Sequence, residues 1–83
     1  MEKTAYKVIT YEDNQGDKNK IEYDEFTNKY YVMRTVRDDE GGIDYWEANE
    51  KFDSKKHFSE LAEELEKYAK DNDWRVLETQ IID

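Results

Sequence analysis

The sequence predicts an α+β fold, a small two-layer domain in which an antiparallel sheet of about five strands carries one helix on one face, in the order β-β-β-β-α-β. Three observations predict it. A single segment has a sustained helical period. Five other segments are rich in β-branched and aromatic residues. The connections between the first four of these are short, which favours antiparallel neighbours.

The helical segment runs from Asp53 to Asp71. Phe58, Leu61, Ala62, Leu65, Tyr68 and Ala69 recur at the spacing that winds them onto one stripe. Asp53 or Ser54 is expected to supply the N-cap oxygen. Asn72, which tolerates a left-handed backbone, marks the stop. The outer face carries Glu60, Glu63, Glu64, Glu66, Lys67 and Lys70. Glu63–Lys67 and Glu66–Lys70 stand in the favourable acid-before-base order, four apart. His57 falls in the first turn as a solvent-facing residue.

The strands follow in chain order. Thr4 to Tyr11 is the first, and Glu12 to Asn19 is a polar turn punctuated by Asn14 and Gly16. Lys20 to Phe26 alternates, with Ile21 and Tyr23 on one side and Glu22 and Asp24 on the other. After the turn at Thr27-Asn28-Lys29, Tyr30 to Arg37 is the strand with the clearest signal. Asp38 to Gly42 is an acidic turn, Ile43 to Glu50 the fourth strand, and Trp74 to Ile82 the fifth. A four-residue loop at Asp39–Gly42 puts Val32, Val36, Ile43 and Tyr45 on one face, expected under the helix stripe. Tyr31, Met33, Arg37, Trp46 and Glu50 then share the other face. A slip of one residue would bury Asp44 without a partner.

Residues 1–83 read as one domain, with no repeat, linker or low-complexity tract. A chain of this length buries only about 60–65% of its unfolded surface, which leaves no room for a deep catalytic cavity. Zero cysteines exclude disulfides and thiolate chemistry and fit a reducing, cytoplasmic setting. No run approaches a membrane span, and the N-terminus lacks the apolar core of a signal peptide. The proline-free, Lys/Glu/Asp/Asn/Tyr-rich composition is that of an A+T-rich genome, such as a low-G+C bacterium or one of its phages or plasmids.

Charge is the most informative global quantity: 22 acids against 13 bases, a formal net charge of −9. That sign disfavours direct contact with nucleic acid or with anionic membrane and favours a basic partner protein. The plainer reading is solubility alone. The 12 aromatic residues, seven of them tyrosine, argue for a folded domain rather than a disordered one.

No catalytic set emerges. His57 stands alone, and a serine or threonine nucleophile would need it nearby together with an oxyanion hole. One histidine without cysteine leaves no transition-metal cluster, and an EF-hand frame with Gly16 at the sixth position would put Tyr11 at the first. No enzyme activity, cofactor or metal is therefore expected.

The candidate binding residues are the acids Asp38, Asp39, Glu40, Asp44 and Glu47 around the third and fourth strands. Glu60, Glu63 and Glu64 on the helix join them, with Tyr31 and Trp46 as aromatic anchors. Carboxylates in rows imitate the phosphates of a duplex and would fill the basic groove of a nucleic-acid enzyme. The leading expectation is thus a non-enzymatic inhibitor of a basic nucleic-acid-binding protein, a DNA mimic of the anti-CRISPR or anti-restriction type from a phage or other mobile element. Two alternatives stand beside it. One is a reader of single-stranded nucleic acid that stacks bases on Tyr30, Tyr31 and Trp46 with Arg34 and Arg37. The other is a self-associating domain whose Tyr31, Met33 and Trp46 face closes a homodimer. In general character (small, acidic, cysteine-free, tyrosine-rich) the chain is similar to phage-encoded inhibitors of host nucleases and to immunity proteins. No segment aligns with a family motif.

Overall fold

The computed structural model describes residues 6–82. It contains β1 (Tyr6–Glu12), β2 (Lys18–Asp24), β3 (Lys29–Arg37), β4 (Ile43–Ala48), α1 (Phe58–Asp71) and β5 (Arg75–Ile82). The five strands form one antiparallel sheet in the order β4-β3-β2-β1-β5, the expected meander with the last strand returned to the far edge. The part of the first expected strand at Thr4 and Ala5 lies outside the described residues.

The helix stripe is the one the periodicity gives. Leu61, Leu65 and Ala69 are buried, and Phe58, Ala62 and Tyr68 pack partly buried beside them. They meet Ile21 and Val32 of the sheet, so α1 lies across β2 and β3. Tyr11 and Phe52 complete the core.

The helix start differs from the expectation at Asp53 or Ser54. His57 occupies the N-cap, with no side-chain capping bond. The cause is the preceding segment, which returns to β3 before the helix starts: Tyr30 and Lys55 exchange two backbone bonds of 2.7 and 3.1 Å. No helical turn can begin until the chain has passed Lys55. β4 ends at Ala48, short of the expected Glu50, because the chain turns there: Phe52 N–H donates to the Asn49 carbonyl and Lys51 N–H to Asn49 Oδ1, both at 3.1 Å.

The helix stop is a Schellman turn. Trp74 N–H reaches the Ala69 carbonyl at 2.8 Å and Asp73 N–H reaches the Lys70 carbonyl at 3.4 Å. Asn72 is the C-cap, but the left-handed residue is Asp73, with φ of 57°. Of the two expected helix ion pairs, Glu66–Lys70 forms, at 3.3 Å.

The β3–β4 register pairs Val36 with Tyr45 and Met33 with Ala48, as the alternation requires. A bulge after Val36 then pairs Arg37 with Ile43 and leaves Asp44 as the extra, exposed residue. The expectation that this whole face lies under the helix is corrected. Val32 is buried, but Tyr45 is 52% exposed because α1 sits over β2 and β3 and stops short of β4, and Ile43, 50% exposed, is moved by the bulge to a pairing with Arg37 and off the Val32 face.

β1 is joined to β2 only at the turn, through Tyr11↔Asn19 and Glu12↔Lys18. Beyond that it runs with β5 alone. The β1–β5 ladder carries an irregularity between Thr10 and Tyr11, the point at which β1 leaves β2. A bulge bends and twists its strand, which gives this divergence a local cause.

A polar network seals the turn end of the sheet. The Asp13 carboxylate accepts from the backbone of Gln15 and Asp17 and from Asn19 Nδ2. Asn19, fully buried, accepts from Asn49 Nδ2 at 2.9 Å, and Thr35 Oγ1 accepts from Lys18 N–H. On the other side of the turn, Asn14 receives the Trp74 indole N–H and donates to the Asn72 carbonyl. The β1–β2 turn is thereby tied to the end of the helix and to the loop that precedes it.

Candidate protein-binding surface

The expected acidic residues fall into two groups at opposite ends of β3. Asp38, Asp39, Glu40 and Asp44 sit in the β3–β4 turn and at the start of β4. Glu60, Glu63 and Glu64 sit in the first turns of α1, whose Phe58 ring packs on Tyr30 at the other end of the strand. Tyr30 and Asp38 are eight residues apart along an extended chain, which at ~3.3 Å per residue is about 26 Å. The structure therefore presents two separate acidic clusters rather than one continuous row.

Their members are not equivalent. Asp38 Oδ1 accepts the N–H groups of Glu40 and Gly42 at 2.9 and 2.8 Å, so this carboxylate organises its own turn. Glu47 pairs with Arg34 at 2.9 Å, and Glu64 stands 4.0 Å from Lys55. Asp39, Glu40, Asp44, Glu60 and Glu63 are exposed and have no ion-pair partner among the described residues.

The arginines, unlike several of the lysines, are all spent in pairs within the domain. Each of the three arginines is held to a carboxylate: Arg34 to Glu47, Arg37 to Asp17 and Arg75 to Glu12. Lys20 contacts Glu22 and lies 4.5 Å over the Trp46 ring.

Tyr31 and Trp46 share the sheet face away from α1, both half-buried, with Met33 between them. Tyr31 donates its hydroxyl to Thr27. The arginines expected to join them in stacking bases are elsewhere. Arg34 is on the helix side with Glu47, and Arg37 is drawn to Asp17 and to the Gln15 carbonyl at 2.6 Å. Tyr30, the third expected stacking ring, packs against Tyr23 and Phe58.

A feature the sequence reading missed is a groove of about 480 Å³ on the helix side. Its walls are the α1 residues Phe58, Ala62 and Leu65, and its floor is Ile9, Tyr11 and Ile21 where β1 parts from β2. Glu63 and Glu66 stand on its helical rim and Lys7 on the strand side. Burial pushes the Tyr11 hydroxyl above its ordinary value, and the Glu66 carboxylate pushes it the same way. The sequence signal was the offset of Ala62 and Glu63 from the buried stripe, which only the divergence of β1 converts into a groove.

Among the described residues no group of three or more His, Asp or Glu side chains is placed to hold a metal ion. No helix among the described residues is long and apolar enough to cross a membrane. Fold and surface together define a two-layer α+β domain with outward, unpaired carboxylates. Comparison with protein-family models, with curated proteins and with solved structures gives no match in any of the three.

Proposed function

We propose that this chain is a non-enzymatic, acidic protein-binding domain that docks on the basic, nucleic-acid-contacting surface of a partner protein and blocks it. A nuclease of a host defence system is the natural target, and a mobile element the natural source. The observation that supports this reading is the division of charge. The arginines are committed to internal pairs, while Asp39, Glu40, Asp44, Glu60 and Glu63 face solvent uncompensated. A net charge of −9 carried this way raises the encounter rate with a basic surface and releases its bound counterions.

The test is affinity capture from a nuclease-treated low-G+C bacterial lysate across a salt series, with two charge-reversed variants. One carries Asp39→Lys, Glu40→Lys and Asp44→Lys; the other carries Glu60→Lys and Glu64→Lys. Asp38 is left in place because it holds the turn together. The expected result is a basic nucleic-acid-binding protein, released as salt rises and held at least about tenfold more weakly by one of the variants. Capture that is indifferent to salt and to both reversals overturns the proposal.

A further inference from the structure

We infer that the groove between α1 and the β1–β5 ribbon is the docking site for a basic amphipathic helix of the partner. This deepens the proposed function and rests on it for the class of partner.

The geometry fits a helix in two directions. Along the groove, the α1 wall runs from Phe58 to Glu66, eight rises of 1.5 Å or about 12 Å. Three apolar anchors at i, i+3 and i+7 of an incoming helix span about 10.5 Å, the usual reach of helix-in-groove recognition. Across it, α1 sits above β2 and β3, and the next pair of strands, β1 and β5, lies two strand spacings away. Where β1 is still joined to β2, at Tyr11↔Asn19, two spacings of ~4.8 Å come to about 9.6 Å, within the 8–10 Å at which neighbouring helices pack, and past that point the groove opens as β1 leaves β2. An incoming helix over β1 and β5 would therefore lie beside α1 at ordinary packing distance.

The surface such a helix would cover is apolar at its centre. Tyr11 pairs with Val76, Ile9 with Thr79 and Lys7 with Ile81, so these β5 residues continue the groove's face of the sheet. Val76 and Ile81 are 55% and 59% exposed. They extend the floor of Ile9 and Tyr11 over the bare half of the sheet, with Thr79 between them and Lys7 at the far end.

Charge selects the occupant. Glu63 and Glu66 stand along the α1 rim, Glu66 paired with Lys70, and Glu60 lies one turn before Glu63 on the same helix, against the single Lys7 on the strand side. A second copy would set its own acidic helix against this rim, and like charges brought together cost affinity. A helix with leucines on one face and lysines flanking them satisfies both rim and floor.

The probe is a synthetic peptide of ~15 residues, long enough to form helix on binding, with leucines at i, i+3 and i+7 and flanking lysines. Its control has glutamates in place of the lysines. Binding is read by anisotropy and mapped by amide chemical shifts, while light scattering reports the oligomeric state of the free domain. Ala62→Arg closes the groove wall, and Ile81→Lys, at an exposed strand position, spoils the strip without touching the core; thermal melts establish that each variant folds. The expected result is binding of the basic peptide alone, with shifts around Ile9, Ala62 and Ile81, weakened about tenfold by either variant and by Glu63→Lys with Glu66→Lys. Binding unchanged by these substitutions, or absent, overturns the inference. So does a dimer of the free domain that Ala62→Arg dissolves, since the occupant would then be a second copy. Lysate capture that remains intact in Ala62→Arg overturns the groove and leaves the proposed function standing. Peptide binding without capture of any basic protein removes the proposed partner class and leaves the groove.

Discussion

Replacing Asn19 with leucine tests the polar network that closes the turn end of the sheet. Asn19 is completely buried, and leucine has the same branched side chain of four heavy atoms, so no cavity opens and its bulkier methyl groups can only add to the loss. Two hydrogen bonds are lost. Asn49 Nδ2, in a side chain only 8% exposed, loses its acceptor, and the Asp13 carboxylate loses the donor at 3.1 Å. A buried polar group left unpaired costs about 1–3 kcal/mol, and the half-buried Asp13, which keeps two backbone donors, costs about 1. The expected destabilisation is therefore about 2–4 kcal/mol. At 0.05–0.15 kcal/mol per residue the whole domain holds only about 4–12 kcal/mol, so the loss is a large fraction. Urea unfolding followed by tryptophan fluorescence measures it, and the midpoint is expected to fall by about 1–2 M. The double variant Asn19→Leu/Asn49→Leu should lose less than the sum of the singles, because it removes the orphaned amide together with its partner. A single-variant loss below about 0.5 kcal/mol, or strict additivity, would refute the reasoning.

Two further predictions follow from the backbone and from Tyr11. Asp73 holds a left-handed backbone at φ 57°, so Asp73→Gly should stabilise the domain by about 0.5–1 kcal/mol in the same urea assay. The raised pKa of Tyr11 fixes the sign of an alkaline effect. The unfolded tyrosine ionises first, near its ordinary value of 10.0, so the native state there binds more protons than the unfolded one. The stabilisation is complete below that pH and is lost as pH rises through the folded value. Tyr11→Phe should make the decline of stability above pH 10 shallower than in the wild type, by urea midpoints at stepped pH.

Much of this fold was legible in the residues. The helix stripe, the order of elements and the Val36–Tyr45 register follow from periodicity and from the cost of burying Asp44. What was not legible has physical causes that composition does not carry. The helix begins at Phe58 because a long-range bond pair between Tyr30 and Lys55 returns the preceding chain to β3, and local capping preference at Asp53 or Ser54 cannot anticipate that. Asn19 reads as the end of a polar turn and Asn49 as part of the fourth strand, yet they meet each other in the core across thirty positions of chain. The acidic candidates were legible as charges but not as geometry. Glu47 lies in an internal pair and Asp38 in its own turn, and the two clusters face different ends of the sheet. Tyr31 and Trp46 do share a face, as alternation requires, but without the arginines that a base-stacking platform would need.

A size argument explains why the groove is where it is. Five strands at ~4.8 Å make a sheet about 19 Å across, and a helix with its side chains is only about 10–12 Å wide. One helix cannot cover one face. Because the chain must pass from β4 at one edge to β5 at the other, α1 lies in the middle and leaves a flank on each side. The two flanks are treated differently. On the β4 side the uncovered positions carry the Arg34–Glu47 pair and the half-exposed Tyr45, and the chain that turns at Asn49–Phe52 crosses over β3 and buries Phe52. That flank is closed in part by the chain itself. On the β1–β5 side the uncovered positions are Ile9, Val76, Thr79 and Ile81 with Lys7 beside them, no loop of the described residues returns across them, and the adjacent helix edge is acidic. A chain that needed only solubility would place polar residues on both flanks, since exposed apolar strips on a sheet edge invite aggregation. Apolar positions stay open on both flanks, but only on the β1–β5 side do they adjoin a groove whose helical rim carries carboxylates, which is what a site for a cationic, amphipathic partner requires.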